Sequence, residues 1–322
     1  MKKHDQKMNK KLQEEALAFD RRVQERVLNG LIPDLQNCQP NEWFYNNPWR
    51  HPEYVQMVFG EYLSFALKHI DPKSKILEVG SGLGHMTLEL SRLGHYVSGV
   101  ELSDFSVKTA KQTAEKYLNP DHAASLKYHT CDFLSWSEED EFDVICFFLT
   151  LHHFENLEDI ITKASNLLSE GGKIIVVEPA RDLFSKRNAT IAGLIRIILS
   201  FYNGWHEKIN TPLKLSDMDQ YFEEVLLEYR EAKEKTEQEQ SPNDNSAYAV
   251  EMIDAIKTQF SQDELKYGNS LVPRLVGGVR ANNLQKTLEV ARFIKLFDSY
   301  CTDNGFLDPG VFYFAGTKKT EK

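Results

Sequence analysis

The spacing of apolar positions divides the chain into a helical start, an alternating middle and a long helical stretch before a last apolar run. Leu12, Ala16, Phe19, Val23 and Val27 recur at helical intervals and Asn29-Gly30 supplies a stop, so a helix with one buried stripe is predicted. An aromatic loop over 41–52 and a second helix over about 53–69 lead to the turn Asp71-Pro72-Lys73-Ser74. From Lys75 onward, short apolar runs alternate with helical patterns. Strands are predicted at 75–79, 96–101, 126–130, 142–148 and, after the Gly171-Gly172 turn, 173–178. Helices at about 85–93, 106–117 and 157–168 lie between them. Such alternation builds an α/β fold, a parallel sheet with helices on both faces and right-handed crossovers. The alternation then stops. Residues 182–278 read mostly helical, interrupted by 240–245, and a last helix at about 284–300 leads through Asp303-Asn304-Gly305 to the apolar run 311–317.

The junction of the first strand with its helix, Ile76-Leu77-Glu78-Val79-Gly80-Ser81-Gly82-Leu83-Gly84-His85-Met86-Thr87, carries the most chemistry. Glycines at alternate positions let the backbone turn sharply and approach a ligand without a Cβ in the way. A dinucleotide fingerprint needs its third glycine where this chain has His85, which argues against a nicotinamide-dependent oxidoreductase. The spacing, with Glu78 two residues ahead of the first glycine, resembles motif I of the class I S-adenosylmethionine-dependent methyltransferases, whose fold is Rossmann-like.

That resemblance implies a doubly wound, mostly parallel seven-stranded sheet, with 311–318 as an antiparallel closing strand beside strand five. It implies an N-terminal helical cap with the aromatic loop (1–70), a cofactor-binding core (71–181) and a mainly helical insertion or substrate cap (182–310). The cofactor, S-adenosylmethionine, carries an amino acid group that needs an anion site and a nearby carboxylate. Glu78, Gly80, Ser81, Gly82 and Gly84 would hold that end, and Glu101, ending strand two, would accept bonds from the ribose hydroxyls. Asp132 after strand three would receive the adenine amino group, with Phe133, Leu102 and Leu149 around the ring. Phe148-Leu149-Thr150-Leu151-His152-His153-Phe154 is similar to the family's strand-four exit.

A sulfonium methyl is already electrophilic, so the protein mainly aligns the acceptor and excludes water. A base helps when the acceptor is a hydroxyl or a protonated amine. His152 and His153 are the catalytic candidates, with Glu178 and Asp182 beyond strand five; packing, a strand end and a helix cap are their structural alternatives. Tyr45 and Trp49, from the aromatic loop, are expected in the substrate pocket together with Glu178 and His206, unless the loop only anchors the N-terminal helices. The segment 189–202 is apolar nearly all round apart from Arg196 and must be covered, as a substrate cap, a homodimer contact or a membrane-surface helix. Residues 223–240, with the pair Glu231–Lys235, read as a solvated helix.

Composition narrows the function. The 322 residues carry a net charge of -10, which disfavours a protein that tracks nucleic acid through its phosphates. With 41% hydrophobic residues a buried core is expected. Four scattered cysteines, a charged start without a secretory signal, and no run long enough to span a bilayer point to a soluble cytoplasmic protein. No HExxH, clustered Cys/His or Asp-rich loop suggests a metal, and no GxSxG elbow suggests an acyl hydrolase. The strand-four exit also lacks the Asn/Asp-Pro-Pro-aromatic motif with which the family methylates DNA bases. The expected partner is therefore a small-molecule methyl acceptor. A non-catalytic cofactor-binding protein on the same fold is the alternative.

Overall fold

The computed structural model describes residues 10–138, 141–230 and 247–320. Its seven strands are β1 (Lys75–Val79), β2 (Tyr96–Glu101), β3 (Leu126–Thr130), β4 (Phe142–Phe148), β5 (Leu168–Pro179), β6 (Phe260–Gly268) and β7 (Val311–Lys318). They form one sheet in the order β3-β2-β1-β4-β5-β7-β6. The first five are parallel, and β7 runs antiparallel between β5 and β6. The doubly wound, mostly parallel seven-stranded sheet expected from the sequence is the sheet observed.

Successive strand residues point to opposite faces, and here both faces are covered. Ile76, Val144, Ile175 and Tyr313 enter one apolar cluster, with Tyr54, Tyr62 and the last long helix Leu284–Asp303. Leu77, Ile145, Ile174 and Phe312 enter the other, with the helices Leu157–Leu167 and Ala249–Gln259. This two-sided burial explains why β1, β4 and β5 read as continuous apolar runs.

Three elements differ from the sequence expectation. The helix predicted over 53–69 is broken into Pro52–Val55, a π turn Gln56–Gly60, and Glu61–Leu67. A π turn adds one residue to the coil and rotates the side chains around it. Strand β5 starts at Leu168 and continues through the Gly171-Gly172 pair rather than after it. Strand β6 lies inside the stretch read as mostly helical. It is an edge strand, mostly exposed, so Gln262, Asp263, Glu264 and Lys266 replace apolar alternation.

The remainder of that stretch is helical. Lys186–Phe201 packs on Leu215–Tyr229, and a Cβ at Gly193 would come within 2.8 Å of the Phe222 ring. Arg196 is neutralised by Glu207 (3.0 Å) and Glu228 (2.9 Å) and lies over the Trp205 ring. Leu194, Ile198, Phe201 and Tyr202 stay exposed along one stripe. The predicted helix over 223–240 is described only as far as Arg230, so the Glu231–Lys235 pair and the interruption at 240–245 lie outside the described residues. Among the described residues no helix is long and apolar enough to cross a membrane.

Candidate active site

Strand order reverses between β1 and β4, and ligands of open α/β sheets bind at such a switch point, beyond the strands' C-terminal ends. A cavity of about 520 Å³ opens there, and Glu78, Gly80, Ser81, Gly82, Glu101, Leu102, Asp132, Phe133, Leu149, Trp49 and His153 all line it. The sequence placed these residues on four separate strand ends and two loops; the fold brings them to one cavity.

The β1 turn is held from beneath. Gly80 and Ser81 donate their N–H groups to the Val100 carbonyl at 2.8 and 3.1 Å. Gly82 N–H donates to Glu101 Oε2 at 2.9 Å, and Ser103 N–H to Oε1 at 2.8 Å. With the Leu102 N–H as a third backbone donor, Glu101 still keeps lone-pair capacity for a ligand. Gly82 has φ +52, and a Cβ built there meets nothing within 4 Å, so its open side is a cradle that any side chain would fill. Gly84 does not line the cavity. A Cβ there would come within 2.5 Å of Tyr128 Oη, so this glycine serves close packing of helix His85–Arg92.

Glu78 is 2% exposed and its Oε2 has no hydrogen-bond partner. Burial holds its carboxyl well above the usual range, opposed by the Thr87 backbone and reinforced by the charge of Glu101. An orphaned carboxylate oxygen in a cavity wall is a costly feature unless a donor arrives to bond it. Asp132 caps the turn that follows β3, accepting Ser135 N–H through Oδ2 at 3.0 Å, and still lines the cavity.

The exit from β4 is built around Glu178. Its Oε1 accepts the N–H groups of Thr150 and Leu151, both at 2.6 Å, and Oε2 faces His152 Nδ1 at 2.6 Å. Leu149 is thereby fixed at φ +55, a left-handed conformation rare for leucine. Glu178 is wholly buried and His152 nearly so; neither lines the cavity, so the pocket role expected of Glu178 gives way to organising this loop. His153 does line the cavity, with its ring 5.3 Å edge-on from Phe19. Asp182 accepts Ala249 N–H at 3.1 Å and is a helix cap.

Tyr45 and His206 stand apart. They pack on each other, rings 5.4 Å apart, outside the cavity, and Arg280 fixes the loop by donating to the Tyr45 carbonyl at 2.7 Å. The aromatic loop is thus divided: Trp49 faces inward and Tyr45, 65% exposed, faces out. Among the described residues of 182–310, where a substrate cap was expected, none lines the cavity.

The roof is the N-terminal helix Lys10–Leu28. Leu12, Phe19, Val23 and Arg26, spaced by seven, four and three residues, share the face that lines the cavity. Ser103 Oγ donates to the Asp20 carboxylate and ties the roof to the end of β2. The far wall is aromatic. His85 lies 5.5 Å from Trp49 and 4.9 Å from Phe59, both edge-on, and Tyr62 lies beyond Phe59. Sequence reading missed His85, Phe59, Tyr62 and the roof's inward face. The helical stripe was visible, but the cavity that it roofs was not.

Burial pushes the His85 imidazole down to about 4 from 6.5, so it is neutral at pH 7. The unfolded chain binds that proton at higher pH than the native state does. Stability should therefore fall as pH drops from about 6.5 to about 4, by on the order of 2–3 kcal/mol. His85→Phe should flatten that segment of the profile in urea melts taken across it.

Known proteins carry the same architecture. A family model described as a methyltransferase domain matches residues 51–229, more than half of the chain. Over 117 residues the chain is 28% identical to the ubiquinone/menaquinone biosynthesis C-methyltransferase UbiE of Stutzerimonas stutzeri, covering 35% of this chain and 46% of that protein. Over 104 residues it is 31% identical to the human mitochondrial ubiquinone biosynthesis O-methyltransferase, 32% of this chain and 28% of that one. The match thus spans less than half the length of these curated relatives. Among solved structures, the geranyl diphosphate C-methyltransferase of Streptomyces coelicolor, with bound S-adenosyl-L-homocysteine, superposes with a TM-score of 0.52 at 13% identity, covering 97% of this chain and 99% of that one. The [4+2]-cyclase SpnF superposes with a TM-score of 0.54 at 12% identity, covering 97% of each chain. At such identities the likeness is one of fold. The family-model match carries the assignment further: this chain belongs to the methyltransferase domain family, the class I S-adenosylmethionine-dependent methyltransferases.

Proposed function

We propose that the chain transfers a methyl group from S-adenosylmethionine to a small-molecule acceptor held under the N-terminal helix. One observation carries this reading: an orphaned, buried carboxylate oxygen (Glu78), an open glycine cradle (Gly82) and a carboxylate with free lone pairs (Glu101) share one cavity wall. These residues fit the cofactor's groups. Glu78 Oε2 would bond the cofactor's ammonium, Glu101 the ribose hydroxyls, and Asp132, Phe133 and Leu149 would enclose the base. When bound, the cofactor supplies a methyl group on a positively charged sulfur.

The chain's own residues do the rest. The roof and the aromatic wall exclude water, which strengthens every electrostatic contact inside and fixes the acceptor's approach. His153 is the cavity's candidate for taking a proton from a hydroxyl acceptor. We expect His153→Ala to keep S-adenosylhomocysteine affinity within about twofold while turnover falls on the order of 100-fold. Unchanged turnover would make His153 a packing residue. The free thiols, three of the four buried, support a cytoplasmic setting.

The name of the [4+2]-cyclase shows that this fold also serves other chemistry, so the activity needs a direct test. Incubation with methyl-labelled cofactor and a metabolite extract, read by mass spectrometry, should yield a labelled metabolite one methyl heavier. Cofactor binding without any labelled product would leave a binding protein.

A further inference from the structure

Arg26 is the only lysine or arginine among the described residues that line the cavity. Its neighbours Val23 and Leu31 belong to the same apolar cluster as Trp49, Phe59, Leu83 and Met86. Among the described residues no carboxylate lies within ion-pair distance of its guanidinium. Among the described residues Arg22 repels it and Glu25, on its own helix, attracts it. Burial outweighs Glu25 and pulls its ionisation below the usual arginine range. A largely buried guanidinium on a cavity wall with no counter-ion in ion-pair distance is costly, and a planar anion that it can grip through two N–H groups removes that cost.

Resting on the reading that this cavity holds both cofactor and acceptor, we propose that Arg26 is the receptor for a carboxylate or phosphate on an otherwise apolar, ring-sized acceptor. Phe19, against His153, and Arg26 lie seven residues apart on one helix face, two turns or about 10 Å along the axis. The anionic group therefore binds at the end of the cavity remote from His153, and the aromatic wall of Trp49, Phe59 and neutral His85 covers the body between. Arg26 supplies the positive charge that selects at that end. One other anion has the same chemistry, the carboxylate of the cofactor itself, and the two sources are separable.

The test uses 2-naphthoate and the equally shaped, uncharged 2-naphthamide as probes, titrated calorimetrically into protein saturated with S-adenosylhomocysteine. The wild type should bind naphthoate at least about tenfold more tightly than naphthamide. Arg26→Gln should erase that preference, Arg26→Lys should keep part of it, and both should bind S-adenosylhomocysteine within about twofold of the wild type. Equal or absent binding of the two probes to the loaded wild type, or a preference that survives Arg26→Gln, overturns the proposal. So does an Arg26→Gln variant whose loss falls on S-adenosylhomocysteine, because the anion is then the cofactor's. Failure of the wild type to bind S-adenosylhomocysteine at all would instead overturn the cofactor reading, which is measured first.

Discussion

Gly82→Val should abolish S-adenosylhomocysteine binding while leaving the fold in place. At φ +52 the residue sits in the left-handed region, and nothing lies within 4 Å of the position a Cβ would take. The added side chain therefore meets no protein. It occupies the cavity beside Gly82 N–H and Glu101, where the ligand must lie. We expect affinity to fall by at least about 100-fold, equivalent to about 2.7 kcal/mol. The left-handed backbone costs a valine roughly 1–2 kcal/mol, so the melting temperature should drop by only a few degrees. The neighbouring glycines give the contrast. A Cβ at Gly80 would stand 2.1 Å from Thr150 Cγ2, and one at Gly84 within 2.5 Å of Tyr128 Oη, so there the chain itself is in the way. Calorimetry paired with a thermal melt separates these cases. Retained affinity in a folded Gly82→Val protein would mean that the ligand lies elsewhere.

The second large effect is on stability. Glu178→Ala removes the acceptor for Thr150 N–H and Leu151 N–H and the partner of His152, all in a fully buried setting. Each buried donor left unbonded costs about 1–3 kcal/mol. Leu149, held in its left-handed conformation by that loop, should relax and take part of the cavity wall with it. We therefore expect a lowered denaturant midpoint together with weakened cofactor binding. Glu178→Gln keeps one accepting oxygen and should recover part of both. A pH signature accompanies the wild type. Burial pushes the Glu178 carboxyl up to about 7, so the native state retains a proton that the unfolded chain releases near 4.5. Its contribution to stability is fully present below that lower value and is lost as pH rises through about 7, opposite in sign to that of His85.

Much of this was legible in the sequence because it is local. A strand followed at once by alternating glycines, and acids at successive strand ends, are short-range patterns that survive without coordinates. The two-sided burial of β1, β4 and β5 likewise leaves continuous apolar runs. What could not be read depends on which face of an element meets which partner. Phe19 and Val23 looked like an ordinary buried stripe, and only the folded chain shows that their face, with Arg26, closes a cavity. The π turn at Gln56–Gly60, which puts Phe59 into the same wall, breaks no apolar spacing visible in the sequence. Strand β6 was hidden because an edge strand is polar on most of its length. Glu178, open in the sequence between a pocket acid and a strand end, was undecided for a related reason. An acid at the end of a central strand can face the ligand or the loop above it, and hydrogen bonds to Thr150 and Leu151 decide for the loop.

The central claim is that the turn after β1 and the acid ending β2 hold a methionine-derived nucleoside. A calorimetric titration of the wild-type protein with S-adenosylhomocysteine, run beside one with a nicotinamide dinucleotide, tests it most directly. Saturable binding of one nucleoside per chain, with no heat from the dinucleotide, is the result expected. No binding of S-adenosylhomocysteine at millimolar concentration, or saturation by the dinucleotide in its place, would contradict it.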